Sequence, residues 1–245
     1  MSAAQPQISR TATVTSILRD EVLRGQYRAG ERLPSERDLC ERFNVSRGAV
    51  REALKQLQQL GIVSIQPGGA RVVPVTECTL DVLGPLLDLN EYPDAKLVDE
   101  VMHMMGVLMR EAAAAALDKA TDEQLETAYQ IIDEILASEE DHVRQYEAFR
   151  RLGTFYVDVA DHLVLRLMAN GLRTTFMARV NPHEPVMRMD PDEVQIPVRR
   201  IRKALSERNA LELGDAMHEL NWLFRKSATA ALGDRRSPGY KASNS

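Results

Sequence analysis

The hydrophobic positions of the first sixty residues recur with the period of an α-helix. One apolar stripe predicts a helix over residues 11–24, and it consists of Val14, Ile17, Leu18 and Val22. Ser35 and Asp38 have the spacing of an N-terminal cap, and they predict a short second helix over Glu36–Phe43. Ser46 caps a third predicted helix over residues 47–60, and its buried stripe consists of Val50, Ala53, Leu54, Leu57 and Leu60.

The pattern changes directly after Gly61, where β-branched residues replace the helical period. Residues 62–66 and 70–73 are predicted strands, and Pro67-Gly68-Gly69 is the turn between them. A short helix, a tight turn and a longer helix make a helix-turn-helix, and a hairpin that follows the longer helix is a wing. The sequence therefore predicts a winged helix-turn-helix domain over residues 8–75.

Beyond a linker at residues 74–78, every strong apolar period is helical. Seven helices are predicted, over residues 80–89, 95–117, 121–138, 141–159, 161–180, 190–208 and 209–233. They form an all-α bundle over residues 79–232, followed by a flexible tail at 233–245. The predicted fold class is mostly α, in two domains, with the hairpin as the β element.

The distribution of charge along the chain indicates which part could bind a polyanion. The whole chain of 245 residues has a formal net charge of −5. Residues 8–75, however, contain eleven basic and seven acidic side chains, so this part is basic and the remainder is acidic. A polyanion such as DNA would therefore meet the first third of the chain.

Cysteine usage and hydropathy indicate the compartment. Cys40 and Cys78 are the two cysteines, and they do not form a CxxC pair, which excludes a disulfide framework or a cysteine zinc site as the organising feature. No apolar run approaches the ~20 residues of a membrane span, and the first residues lack the apolar core of a secretion signal. We therefore expect a cytoplasmic protein with no membrane partner.

The outer face of the third predicted helix carries the chemistry of DNA recognition. Arg47, Gly48 and Arg51 fall off the apolar stripe, at the end of the helix that enters the major groove in a helix-turn-helix. An arginine there can donate two hydrogen bonds to guanine O6 and N7, and Gly48 lets the backbone approach the groove. The Ser46 hydroxyl and the helix N-terminus can bind a phosphate. Arg71, beside the glycines of the wing tip, suits a phosphate or the minor groove.

Two motifs in this part, LPSER and VSRGAVREAL, resemble those of a known family. The run ILRDEVLRGQYRAGERLPSERDLCERFNVSRGAVREALKQLQQLGIV is similar to the winged-helix domain of GntR-family bacterial transcription factors. The resemblance implies DNA contacts by the arginine of LPSER, the two arginines of SRGAVR and the wing-tip glycine. The wing departs from the usual Gly-x-Gly tip, because this chain has Pro67-Gly68-Gly69-Ala70. The candidate DNA-binding residues are Ser35, Arg37, Ser46, Arg47, Gly48, Arg51 and Gly68.

The helical body resembles the FadR subfamily of the same family. The run TLDVLGPLLDL, the run Tyr146-Glu147-Ala148-Phe149-Arg150 and the pair Asn170-Gly171 carry this resemblance. It implies a homodimer that binds a pseudo-palindromic operator under the control of a small effector. A long-chain fatty acyl-CoA or a related hydrophobic acid is the leading ligand class. The candidate effector-binding residues are Tyr146, Phe149, Arg150, Asn170, Asn221 and Trp222.

The body departs from its subfamily at two sites. Many members bind a divalent metal through one aspartate and three histidines, but the corresponding residues here are Tyr146, Arg150, Val198 and Leu220. Aliphatic and cationic side chains cannot donate to a metal, so we expect no metal and no cofactor. The acyl-CoA-binding members also have a Tyr-Gly-His-Glu run in the last helix, where this chain has Leu220-Asn221-Trp222-Leu223.

Three other functions remain open on the sequence. A GntR-type regulator would instead sense a small carboxylate, with or without a metal. A metabolite-binding helical protein would use its winged helix for protein contacts and have no role on DNA. A helical enzyme is the third, but no Ser-His-Asp set, phosphate-binding glycine loop or paired-carboxylate arrangement supports it, so we do not expect catalysis.

Overall fold

A computed structural model describes residues 9–138, 141–180 and 189–233 of the chain. These residues are mostly helical, with ten α-helices and one two-stranded hairpin among them. The chain divides into two compact units, which meet in the sequence between Glu91 and Tyr92. The fold class predicted from the apolar pattern is therefore confirmed.

The first unit begins with three helices and the hairpin. Its elements are α1 (Arg10–Leu23), α2 (Glu36–Phe43), α3 (Arg47–Gln59), β1 (Val63–Gln66) and β2 (Gly69–Val72). Ser9, Ser35 and Ser46 cap the three helices, because each hydroxyl accepts a hydrogen bond from a backbone N–H of the first turn. Asn44 ends α2 in the left-handed conformation, at φ 50°, so α3 can start in a new direction two residues later.

One apolar core holds α1, α2, α3 and the hairpin together. Its central side chains have no exposed surface, and they are Leu18, Leu39, Val50, Leu57 and Ile62. The two strands pair antiparallel, with Val63 opposite Val72 and Gln66 opposite Gly69, which leaves Pro67 and Gly68 as a two-residue turn. This arrangement is the winged helix-turn-helix that the sequence predicts.

The segment after the hairpin differs from the prediction. Residues 80–89 were expected to form one helix of the body, but they form a 3-10 turn at Leu80–Val82 and a short helix, α4 (Leu83–Leu87), in the first unit. The Arg24 guanidinium donates to the Leu89 carbonyl, and Leu86 and Leu87 are buried. This hydrogen bond from the residue that follows α1 and the burial of apolar surface hold the segment in the first unit.

The second unit is a bundle of six described helices. They are α5 (Ala95–Leu117), α6 (Asp122–Ala137), α7 (His142–Val159), α8 (Leu163–Val180), α9 (Pro191–Ser206) and α10 (Ala210–Gly233). Their bounds agree with six of the seven predicted body helices to within about two residues. The expected tail lies outside the described residues, apart from Gly233. No helix in the described ranges is both long and apolar enough to cross a membrane.

Small residues let α5 and α10 pack closely. A Cβ at Gly214 would lie 2.9 Å from the Arg110 carbonyl oxygen, and Ala112, Ala113 and Ala116 are buried. The core around these helices contains large side chains without exposed surface, such as Leu152, Leu220 and Phe224. The α5–α10 pair is thus the centre of the bundle, and α7, α8 and α9 pack against it.

Candidate DNA-binding surface and effector cavity

The N-terminus of α2 is fixed by a reciprocal cap. The Ser35 hydroxyl accepts from the Asp38 N–H at 3.3 Å and donates to the Asp38 carboxylate at 2.7 Å. The hydrogen bond from the Ser35 side chain holds the pKa of Asp38 below its ordinary value. Arg37 lies between these two residues with 76% of its side chain exposed. The cap therefore orders the backbone that carries an exposed guanidinium.

The N-terminal turns of α3 present two further arginines to solvent. The Ser46 hydroxyl accepts from the Ala49 N–H at 3.3 Å, which leaves the other N–H groups of the first turn available to an anion. Arg47 and Arg51 are exposed, because the opposite face of the helix, which includes Val50, is buried. A side chain added at Gly48 would contact only the Ser46 hydroxyl, at 3.8 Å. This end of α3 is thus open to close approach.

An ion pair links α2 to α3 on the same face. Arg51 Nε lies 2.9 Å from the Glu36 carboxylate, and the two side chains are 64% and 38% exposed. Such an exposed pair contributes about 0–1 kcal/mol to stability. The ion pair therefore orients the Arg51 side chain but holds it weakly, so a competing anion such as a DNA phosphate can displace Glu36.

The hairpin forms the third part of this surface. Pro67 and Gly68 occupy the two central positions of the turn, and Gly68 has φ 99°, which only glycine adopts without strain. The structure thus brings all seven predicted DNA-binding residues onto one unit, on the turns that start α2 and α3 and on the wing tip. Such a set of exposed guanidiniums and free helix N–H groups can bind a DNA backbone and read base edges.

In the second unit, a cavity of about 80 Å³ lies among α5, α7, α8 and α10. Five of the six predicted effector residues line it, and they are Tyr146, Phe149, Arg150, Asn170 and Asn221. Trp222 is the exception: it is 43% exposed, Lys226 Nζ lies 5.4 Å from its ring centre, and it does not line the cavity. The remaining lining is largely apolar, with Met102, Met105, Met109, Val157 and Phe176.

The aromatic wall of the cavity is held by stacking. Phe149 stacks on Phe224 with ring centres 4.1 Å apart, and Tyr146 lies 5.4 Å from the same ring. The Arg150 guanidinium lies 5.9 Å from the Tyr146 ring centre. The side chains are therefore fixed by packing before any ligand binds.

Polar groups interrupt this apolar lining at a few points. Asn221 is buried, and its Nδ2 donates to the Met102 carbonyl at 3.0 Å. Arg173 donates to Asn170 Oδ1 at 3.2 Å. Within the described part of the chain, neither Arg150 nor Arg173 forms an ion pair, although the Asp158 carboxylate also lines the cavity. Two guanidiniums against one carboxylate give the cavity a positive balance.

The residues that the FadR-like resemblance aligns with a metal site do not suit a metal ion here. Val198 and Leu220 have no exposed surface and are packed in the core, while Arg150 carries a fixed positive charge. The described ranges contain no group of three His, Cys, Asp or Glu side chains that could hold a metal ion. At this position the cavity contains the positively charged guanidinium of Arg150, whereas a metal site would need side chains that donate electron pairs to a cation.

Comparison with known proteins identifies the family. The family described as bacterial regulatory proteins, gntR family, matches residues 10–73. The regulator Mce2R of Mycobacterium tuberculosis is 32% identical over 178 residues, which cover 71% of this chain and 74% of that protein. The chain belongs to the GntR family. Its members are DNA-binding transcriptional regulators, and this family assignment covers the winged helix-turn-helix described above.

Two further comparisons extend beyond the first unit. The galactonate operon transcriptional repressor of Escherichia coli is 27% identical over 145 residues, 58% of this chain and 62% of that protein. The solved structure of Lar, reported with the Listeria monocytogenes agr system, covers 93% of this chain and 98% of its own at a TM-score of 0.51. It is 18% identical, so this likeness shows the fold.

Several cavity residues of this GntR-family protein were missed from the sequence. Thr154 and Arg173 line the cavity together with the three methionines of α5, and none of them was predicted. Helical spacing would have found Thr154, since it lies one turn beyond Arg150 on α7, and Arg173, since it lies three residues beyond Asn170. Nothing in the sequence distinguished the three methionines from ordinary core residues.

Proposed function

We propose that this GntR-family protein binds a pseudo-palindromic DNA site as a homodimer and that a small hydrophobic carboxylic acid, bound in the second unit, controls this binding. The observation that carries the effector part is the cavity itself. Arg150 and Arg173, which have no carboxylate partner among the residues that the structure describes, line a space that is otherwise mainly methionine, aromatic and aliphatic. An apolar body with one negative end is the complement of such a lining.

On DNA, each residue of the first unit has a distinct role. Arg47 and Arg51 would read guanine through O6 and N7 in the major groove, and Gly48 would let the backbone of α3 come close. Ser46 and the free N–H groups of α3 would bind a phosphate, as would Ser35 and Arg37 at the start of α2. A two-fold dimer would place two such units on the two half-sites.

The size of the cavity favours a compact acid. About 80 Å³ is roughly half of the ~150 Å³ cavity that admits benzene in another protein. A long acyl chain would require α5, α7 and α8 to separate further, whereas a short acid needs a smaller displacement. The name of the galactonate operon repressor also associates one relative with a small carboxylate. Long-chain acyl-CoA, the class suggested by the FadR-like motifs, is therefore the second candidate.

Control of DNA binding requires that the acid distinguish two arrangements of the dimer. A ligand with equal affinity for both arrangements shifts nothing, however tightly it binds. We propose that closure of Arg150 and Arg173 on the carboxylate, from α7 and α8, is the difference between them. If these two contacts form in only one of the two arrangements, their free energy is the amount by which the acid shifts the equilibrium that controls DNA binding.

The test combines site selection with ligand titration. A binding site is selected from a random-sequence duplex library, and fluorescence anisotropy then compares the selected duplex with a scrambled one at fixed salt. Butyrate, galactonate and a long-chain acyl-CoA are added in separate arms. We expect sequence-preferring DNA binding, and we expect butyrate to change this binding more than galactonate or the acyl-CoA does. Equal binding to both duplexes would exclude a sequence-specific regulator, and a response to acyl-CoA alone would overturn the compact acid.

Variants identify the carboxylate contact. Arg150→Gln and Arg173→Gln should each weaken butyrate binding, measured by calorimetry, by about tenfold or more, because charged hydrogen bonds are worth about 1.5–3 kcal/mol. Arg144→Gln is the matched control, since Arg144 lies on α7 but pairs with Glu134 and does not line the cavity. Equal affinities in all three variants would contradict the proposed site.

A further inference from the structure

A segment outside the hairpin runs beside the wing as a third strand-like edge. The Gly30 N–H donates to the Val72 carbonyl, and the Leu33 N–H donates to the Ala70 carbonyl, both at 2.9 Å. Arg32, between them, forms an isolated antiparallel bridge with Arg71 of β2. The backbone of residues 30–33 is therefore fixed against the wing, and the position of Arg32 follows the hairpin rather than a free loop.

The side chain of Arg32 reaches the tip of the wing. A Cβ at Gly69 would lie 3.7 Å from Arg32 Cδ, and a Cβ at Gly68 would lie 2.5 Å from Arg32 Nη2. The guanidinium thus passes along one glycine and ends against the next, in space that any other residue at position 68 would occupy. Two adjacent glycines in the turn leave room for this guanidinium.

The pairing of Arg32 with Arg71 is unfavourable for the isolated protein. Residues opposite each other in an antiparallel bridge point to the same face, and like charges there are destabilising. The stretch from 62 to 73 contains no acidic residue. The Arg71 guanidinium donates to the Gly30 carbonyl at 2.9 Å, while the Arg32 guanidinium has no hydrogen bond or ion pair within the described ranges. Two exposed, uncompensated guanidiniums at one tip fit a polyanion.

We propose that Arg32 and Arg71 together form an anion site at the wing tip that contacts the DNA beside the bases facing α3. This inference rests on the proposed DNA-binding function and adds a residue from outside both the helix-turn-helix and the hairpin. DNA is favoured as the polyanion because the same unit presents Arg37, Arg47 and Arg51 on exposed positions. The contacted group is a backbone phosphate or the negatively charged floor of a narrow minor groove.

The experiment measures DNA affinity as a function of salt for matched variants of the full chain. Arg32→Gln and Arg71→Gln remove the charge and keep most of the side-chain stem, and Arg199→Gln removes one exposed charge from the second unit as a control. We expect each wing variant to bind about tenfold more weakly to both the selected and the scrambled duplex. The slope of log affinity against log salt should fall by about 0.9 for each phosphate that the variant no longer neutralises, and Arg199→Gln should change neither quantity.

Modified duplexes distinguish the two sources of negative charge. Diaminopurine in place of adenine adds an amino group to the minor groove, and neutral methylphosphonate linkages remove backbone charge. If Arg32 contacts the minor groove, diaminopurine should reduce the DNA affinity of the wild type more than that of Arg32→Gln. If Arg32 contacts a phosphate, the methylphosphonate linkages should instead reduce the affinity of the wild type more than that of the variant. Arg32→Lys should recover part of the affinity, because it restores the charge without the planar guanidinium.

The outcomes separate this inference from the function on which it rests. If the wild type binds the selected duplex and Arg47→Ala weakens binding, the DNA-binding function holds. Unchanged affinity and salt slope in Arg32→Gln would then overturn the wing-tip site alone. Failure of the wild type to prefer any duplex would overturn both proposals. Thermal unfolding of each variant, followed by circular dichroism, identifies any decrease in affinity that follows from unfolding.

Discussion

Replacement of Gly106 by alanine tests the close packing of α5 on α10. The added Cβ would lie closer than 3.0 Å to Asn221 Nδ2, 3.1 Å from its Cγ and 3.3 Å from His218 Nδ1. Asn221 is buried and donates from this same nitrogen to the Met102 carbonyl. The amide therefore has to leave its hydrogen bond or the helices have to separate.

The magnitude follows from three opposing effects. Overpacking of a close-packed core costs about 1–3 kcal/mol, and loss of a buried hydrogen bond costs about 1 kcal/mol more. Alanine in place of glycine within a helix recovers about 1 kcal/mol. We therefore expect Gly106→Ala to lower the free energy of unfolding by about 2 kcal/mol.

Gly171→Ala is the matched control for this measurement. Gly171 also lies within a helix, α8, but a Cβ there would have no heavy atom within 4 Å. This variant should be more stable by up to about 1 kcal/mol, because only the helix propensity changes. Urea unfolding followed by circular dichroism gives both values, provided that the slopes agree. A Gly106→Ala protein as stable as Gly171→Ala would refute the packing argument.

Three further substitutions have defined outcomes. Arg51→Ala should change the free energy of unfolding by less than about 1 kcal/mol, because the ion pair of Arg51 with Glu36 is exposed. The same variant should bind the selected duplex more weakly by about 1–3 kcal/mol, measured by anisotropy. An equal decrease in binding to scrambled DNA would mean that Arg51 only neutralises phosphate. Ser46→Ala should lower the free energy of unfolding by about 1 kcal/mol in urea unfolding, because the helix cap is lost. Ser46→Asp keeps the cap but repels phosphate, so it should retain stability and bind DNA more weakly. If both variants lost stability and DNA affinity to the same extent, Ser46 would not have separate roles in capping and in phosphate binding. Burial raises the pKa of Tyr156, and its hydroxyl has no hydrogen-bond partner within the described residues, so Tyr156→Phe should unfold at the same or a higher temperature; a lower temperature would reveal a hydrogen bond made by this hydroxyl.

The candidate DNA-binding surface was predictable because its structural determinants are local in sequence. Ser46 caps the helix that carries Arg47 and Arg51, and the same helical period that buries Val50 exposes the arginines. The α2 cap formed by Ser35 is equally local. Once the caps and the buried stripe are known, the direction of each side chain follows from helix geometry.

The residues that line the cavity were predicted only in part, because the cavity joins four helices. The run that contains Tyr146, Phe149 and Arg150 lies on one face of α7, so one motif located three lining residues at once. Asn221 and Trp222 were predicted as neighbours, yet successive helix residues point about 100° apart. Packing of α10 on α5 turns Asn221 inward and leaves Trp222 exposed.

The sequence by itself determined the helices, the caps, the hairpin and the exposed arginines of α2 and α3, since each depends on residues within a few positions of one another. Only the tertiary structure decided which distant residues meet. Met102, Arg173 and Asn221 converge on one cavity from three helices, and Arg32 reaches Gly68 through backbone pairing with β2. These contacts depend on how closely the elements pack, and that depends on the volumes of many side chains at once.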